Sequence, residues 1–141
     1  MIIRTFDAGD RDAVIALWRD VFPEYADASR PQRDPALSID NKMKTQPELF
    51  FVGSIDGAVI GTVMAGYDGH RGWVYSLAVA STLRGRGFGS ALMKHAEAAL
   101  TKLGCPKVNL QILSFRTELR GFYEKLGYRM DEVVSLGKRL Q

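Results

Sequence analysis

Apolar positions change their spacing repeatedly along this chain, and each change predicts a new element. Ile2 to Phe6 reads as a short strand, and Asp10 is placed to cap the helix that follows. In that helix Ala13, Val14, Leu17, Trp18, Val21 and Phe22 recur at three- and four-residue steps, giving one apolar face, and Pro23 ends it. From Pro23 to Pro35 the composition turns to Asp, Arg, Ser and Pro, a surface segment that serves either as a lid or as a connector. Helical spacing returns over about Leu37 to Thr45.

Leu49 to Ile55 and Ala58 to Gly66 flank Asp56-Gly57, a dipeptide that between apolar runs signals a tight hairpin. A second turn at Asp68-Gly69 leads into a strand from Trp73 to Val79. Phe88, Ala91, Leu92, His95, Ala96, Ala99 and Leu103 then share a helix side, Gly104 stops that helix, and Val108 to Ile112 reads as another strand. Strand, helix and strand in this order form a βαβ unit, so its two strands run parallel. The connection after Val79 therefore lies off the carboxyl end of a parallel strand, where open α/β sheets bind ligands. Near the C-terminus a helix ends at Gly127, read as its C′ residue, and Tyr128 is expected to open a further strand.

Composition narrows the picture to one soluble domain. The 141 residues, 46% hydrophobic and 25% charged, suit a single domain over 1–141 with a sizeable core. A formal charge of +3 with scattered basic residues offers no nucleic-acid tail, and suits an anionic small ligand better. The lone Cys105 excludes an internal disulfide and a cysteine-rich zinc site. No apolar segment suits a signal peptide or a membrane span, so the expected compartment is the cytoplasm. His95 is expected to be packed on its helix.

The densest chemistry lies in Arg84-Gly85-Arg86-Gly87-Phe88-Gly89, between the strand and the helix of the βαβ unit. Glycines let main-chain N–H groups converge on one point, and the helix adds its unpaired N–H groups and positive dipole end. Such a cradle holds phosphate, and two arginines add planar cationic donors. A P-loop is excluded, because no Lys-Ser or Lys-Thr follows at the required spacing. The dinucleotide fingerprint fails as well, since Leu92 stands where its third glycine would be. The candidate ligand is a pyrophosphate of another kind.

Arg84-x-x-Gly87-x-Gly89 at a strand-to-helix turn, followed by Phe122-Tyr123-Glu124-Lys125-Leu126-Gly127-Tyr128, resembles the GNAT superfamily of acyl-CoA-dependent N-acetyltransferases. The resemblance covers the whole chain and is similar to small stand-alone bacterial members. It implies a mixed α/β fold with a central, mostly antiparallel sheet, one parallel βαβ pair and flanking helices. It implies that main-chain groups of Leu77, Ala78 and Val79 receive the pantetheine arm of acetyl-CoA like an added strand. Arg84, Gly85, Arg86, Gly87, Phe88, Gly89 and Ser90 would hold the pyrophosphate, and Tyr123 would protonate the departing thiolate as the catalytic acid. The cosubstrate would be acetyl-CoA, without a metal, and the partner an amine acceptor, either a small molecule or a peptide N-terminus, with no nucleic acid or membrane. Oligomeric state is left open, a homodimer included.

Two positions depart from the family pattern. Arg116 stands where many members carry an Asn that touches the coenzyme. Trp73, Tyr75 and Ser76 occupy the places where many carry an acid that serves as base for the acceptor. A primary alkyl amine, with a pKa near ~10.4, must lose a proton before it attacks, whereas a peptide α-amine near ~8 asks less. A water chain, Asp68 or His70 could take that proton, although Asp68 and His70 read first as turn residues. The implied reaction is direct acetyl transfer to a primary amine. Its rivals are a peptide N-terminal acetyltransferase of the kind that modifies a ribosomal protein, and a non-catalytic acyl-CoA-binding module.

Overall fold

A computed structural model describes residues 1–27, 29 and 33–141 of the chain. It divides into two compact units, Met1–Leu110 and Gln111–Gln141. The first unit is built on a five-stranded sheet whose spatial order follows the chain, β1 (Ile2–Thr5), β2 (Phe50–Ile55), β3 (Ala58–Tyr67), β4 (Gly72–Val79) and β5 (Val108–Asn109). The first four strands pair antiparallel, and β5 lies parallel to β4. The mixed sheet and the βαβ unit are those the sequence predicts. Asp56 (φ 50°) and Gly57 (φ 81°) are both left-handed, as a two-residue type I′ turn requires.

Helices α1 (Arg11–Val21) and α2 (Pro35–Met43) cover one face of the sheet, and α3 (Phe88–Lys102) covers the other. The alternation along β3 shows the two faces. Thr62 meets Trp18 of α1, whereas a Cβ added at neighbouring Gly61 would stand 2.8 Å from Leu92 of α3. On the α1–α2 side the core is Phe6, Val14, Leu17, Trp18, Ile39, Phe50, Val52, Met64 and Ala78. The Phe6 and Phe50 rings stack there at 4.4 Å. On the α3 side Leu92, Met93, Ala96 and Leu100 are buried, and His95 packs edge-on against Phe51 at 4.6 Å, the packed role its helix position suggests. Gly61 and Gly72 let α3 approach, since a Cβ at Gly72 would stand 3.1 Å from Leu100 of α3.

The polar segment after α1 opens with a short 3₁₀ turn at Pro23–Ala26, and α2 begins at Pro35, capped by the Asp34 carboxylate accepting from the Ala36 N–H. The expected lid from 23 to 35 includes 28 and 30–32, which lie outside the described residues. Three expectations fail. Asp10 stands at the N-cap of α1, but its carboxylate makes no capping hydrogen bond there, because Arg4 and the Asp7 N–H hold it. The strand after Gly104 is only Val108–Asn109 rather than 108–112, because it meets β4 at two positions only. No strand opens at Tyr128, and residues 128–141 form neither helix nor strand.

The second unit contains α4 (Thr117–Lys125). Its end is a Schellman cap, with the Tyr128 N–H donating to Tyr123 O at 3.1 Å and the Gly127 N–H to Glu124 O at 3.0 Å. Gly127 has φ 98°, so the glycine of the Gly127-Tyr128 pair is required by backbone conformation. No helix among the described residues is long and apolar enough to cross a membrane.

Candidate functional site

β4 is eight residues long, yet β5 pairs with it only at Gly72 and Trp73. Beyond Trp73 no strand continues the sheet on that side among the described residues. A bulge interrupts β4 within this stretch. Met64 faces Tyr75 and Thr62 faces Ala78, so Ser76 and Leu77 together oppose one residue of β3. Ser76 takes the left-handed conformation, φ 53°, which is unfavourable for a side-chain-bearing residue. A buried relay holds it there. Trp18 Nε1 donates to Thr62 Oγ1 at 2.8 Å, and Thr62 Oγ1 donates to the Ser76 carbonyl at 2.9 Å.

After the bulge the Ala80 N–H donates to Ile60 O at 2.8 Å. Alternation then turns the main-chain groups of Ala78 toward β3 and those of Leu77 and Val79 toward the unpaired edge. An extended ligand laid along this edge meets donors and acceptors at the spacing of a strand.

The strand runs through a 3₁₀ turn, Ser81–Leu83, into the glycine loop. Gly85 (φ 79°) and Gly87 (φ 81°) are left-handed, and a Cβ added at either would meet no atom within 4 Å. Backbone conformation, and not crowding, selects glycine here, and the result is an exposed main-chain surface without side chains. Gly87 is the N-cap of α3 and offers no side-chain hydrogen bond, so the N–H groups of Phe88, Gly89 and Ser90 have no acceptor within the helix. Arg84 and Arg86 are exposed, and neither pairs with a carboxylate among the described residues. The donors, the dipole end and two available guanidinium groups fit a pyrophosphate.

The opposite side of β4 carries a group that sequence reading missed. Lys42 on α2 is only 4% exposed. Its Nζ donates to Ala65 O at 2.5 Å and to Tyr75 Oη at 3.1 Å. Burial pulls the ammonium down to about 8, with Glu48 acting weakly in the other direction. Burial also raises the Tyr75 phenol. Tyr75, 43% exposed, forms with Ser38, Asn41, Lys42 and Thr45 the wall of a cavity of about 240 Å³ that contains no carboxylate. A wider cavity of about 390 Å³ shares Ser38 and Asn41 and is lined further by Glu24, Tyr25, Arg33, Asp34 and Leu37. The overlooked signal was Lys42 three residues after Ile39, within the buried stripe of α2.

The other base candidates are engaged in turns. Asp68 accepts from the N–H groups of His70 at 2.8 Å and Arg71 at 2.7 Å, which holds its carboxyl below the usual range. In the second unit Tyr123 lies between Phe122 and Tyr128, with ring centroids at 4.9 and 5.9 Å, and burial raises its phenol. It is therefore protonated at neutral pH. Arg116 is held by Glu118 at 2.5 Å.

The family model for the acetyltransferase (GNAT) family matches residues 12–128. An acetyltransferase of Yersinia enterocolitica, YE1169, is 44% identical over 140 residues, covering 99% of this chain and 96% of that protein. Among solved structures, Ard1 of Thermoplasma volcanium superposes with a TM-score of 0.77 at 25% identity, over 92% of this chain and 83% of its own. The PaiA N-acetyltransferase of Thermoplasma acidophilum, solved with coenzyme A, has a TM-score of 0.81 at 18% identity, over 94% and 92%. At that identity the likeness shows the fold.

Proposed function

Since the chain belongs to the acetyltransferase (GNAT) family, we propose that it moves the acetyl group of acetyl-CoA directly onto a primary amine, with residues 1–141 acting as one domain. The observation that carries this reading is the β4 edge left unpaired beyond Trp73, leading through a 3₁₀ turn into a glycine loop and an uncapped helix start. An extended arm ending in a pyrophosphate matches both parts. The coenzyme A bound by the Thermoplasma acidophilum protein, which shares the fold, supports the same cosubstrate here.

In this reading the Leu77 and Val79 main-chain groups align the pantetheine arm, and an N–H of the same edge polarises the thioester carbonyl. The loop from Arg84 to Ser90 binds the pyrophosphate through main-chain N–H groups, with Arg84 and Arg86 supplying charge. The neutral acceptor amine forms the new C–N bond at the carbonyl carbon, the C–S bond breaks, and the nitrogen releases its surplus proton to solvent, which reprotonates Tyr123. Tyr123, held protonated by its burial, gives its proton to the leaving sulfur.

The test is release of coenzyme A thiol from acetyl-CoA against a panel of amines, amino acids and short peptides. Amine-dependent release with a matching acetylated product is expected. Tight acetyl-CoA binding with no release against any amine would make the chain a binding module.

A further inference from the structure

The proposed transfer needs a group that takes the proton of the acceptor ammonium, and no acidic side chain occupies β4 to do it. We propose that Tyr75 takes that proton while passing its own to Lys42, so that the two form a phenol–amine relay on the α2 side of β4. The proposal rests on the transfer reading and supplies its missing base.

Placement comes first. Tyr75 stands immediately before the Ser76 bulge and two residues before Leu77, where β4 turns main-chain groups to the ligand edge. Two strand residues span about 7 Å, so the phenol is on the same stretch of strand as the expected thioester. Tyr75 and Lys42 both line the cavity of about 240 Å³, with Tyr75 43% exposed and Lys42 only 4%. The acceptor thus meets the phenol, and the phenol meets the amine.

Geometry allows proton movement both ways. Charged Lys42 donates to Tyr75 Oη across 3.1 Å; neutral Lys42 accepts from the phenol over the same contact. Ala65 O accepts from Nζ in either form and fixes its position. The step balances. An acceptor N–H bond breaks as an O–H bond forms on Tyr75, the original phenol O–H breaks as an N–H forms on Lys42, and the positive charge ends on Nζ. Lys42 returns the proton to water in the cavity.

The surroundings favour this direction. Ser38, Asn41 and Thr45 add no carboxylate to stabilise an acceptor ammonium in the cavity. Glu48, preceding β2, is the charge that acts on Lys42 from a packed element, and it does not outweigh burial. On the side facing α1, Arg11 and Asp40 neutralise each other at 2.6 Å. Burial brings the Lys42 ammonium down to about 8, within reach of a peptide α-amine.

The test uses the full chain, acetyl-CoA, and two probe acceptors, a lysine-free peptide with a free α-amine and a primary alkylamine, with Lys42→Met, Lys42→Arg and Tyr75→Phe compared. Arginine keeps a cation and its donors but does not deprotonate near neutrality. A base role therefore predicts that Lys42→Arg and Lys42→Met lose kcat/KM alike, by ~10²–10⁴, with acetyl-CoA affinity retained. With the alkylamine, whose own titration lies near ~10.4, wild type should show an ascending limb near pH 8 that both variants lose. Carbon NMR of the Lys42 side chain gives a readout independent of folding in the variants, with titration expected near the same pH. Rescue by Lys42→Arg, an unchanged pH limb in Tyr75→Phe, or Lys42 titrating in the ordinary lysine range would each overturn the relay while leaving transfer intact. Absence of turnover with every amine, in a protein that binds acetyl-CoA, would refute the transfer reading and the relay with it.

Discussion

Replacing Thr62 by Val tests whether the Trp18–Thr62–Ser76 relay holds the bulge of β4. The substitution keeps the side chain's shape and removes only the hydroxyl. Trp18 is wholly buried, so its Nε1–H loses its acceptor with no water at hand, and the Ser76 carbonyl loses its donor. An orphaned buried donor costs about 1–3 kcal/mol, and the added methyl returns somewhat under 1 kcal/mol by burial. The net loss is about 0.2–2 kcal/mol. At the usual unfolding entropy per residue, a chain of this length should drop about 1–7 °C in Tm. Thermal unfolding followed by circular dichroism measures this, with Thr62→Ser as the control that keeps the hydroxyl and loses only a methyl. In a double-mutant cycle, Trp18→Phe should cost less in the Thr62→Val background than alone, because the orphaned donor is then removed as well. Ser76 is also left in a strained conformation without its tether, so acetyl-CoA affinity should fall more in Thr62→Val than in Thr62→Ser. Equal Tm values for Thr62→Val and wild type, or additive effects in the cycle, would show that the relay does not hold the strand.

Gly87→Glu should abolish acetyl-CoA binding, because a carboxylate enters the cradle and a side chain is forced onto φ 81°; unchanged affinity by titration in a folded variant would remove the pyrophosphate from this loop. Tyr123→Phe should keep fold and acetyl-CoA affinity while kcat falls by ~10²–10⁴ and acceptor KM moves little, and full kcat with chemistry limiting turnover would exclude the acid role. The nearly buried Asp10 carboxylate accepts from Arg4 at 2.7 and 2.8 Å and from the Asp7 N–H, which lowers its pKa. Its contribution to stability is therefore complete above the unfolded carboxylate value near ~3.9 and is lost as pH falls through the lower folded value. Asp10→Asn should flatten that acid limb in denaturant titrations, and an identical limb would refute the assignment.

Elements that depend on their own residues were legible in the sequence, and those that depend on a neighbour were not. Asp56-Gly57 announces its turn because few other residues accept two left-handed positions, and Gly87 announces the start of α3 for a related reason. Val108 to Ile112 alternates like a strand, yet pairing ends at Asn109, because only Gly72 and Trp73 of β4 pair with it, and a partner strand's register is not written in the segment itself. The bulge itself leaves no trace in Tyr75-Ser76-Leu77, where a non-glycine residue takes φ 53° only because Thr62 and Trp18, far off in sequence, hold it. Lys42 was missed for the opposite reason. A lysine in a helix reads as a solvated charge, and although its spacing from Ile39 hinted at the buried stripe, the contacts with Ala65 and Tyr75 are what desolvate it.

An unpaired strand edge is also a hazard, because it templates a strand from another polypeptide and so invites self-association. The bulge at Ser76 and Leu77 changes that outlook for β4. A straight foreign strand has a constant repeat, and it matches the ladder on one side of the bulge but falls out of step on the other. A thin, flexible chain with few amides has no such repeat to keep. The kink at Ser76 and Leu77 thus disfavours continuous pairing of β4 with a strand from a second copy.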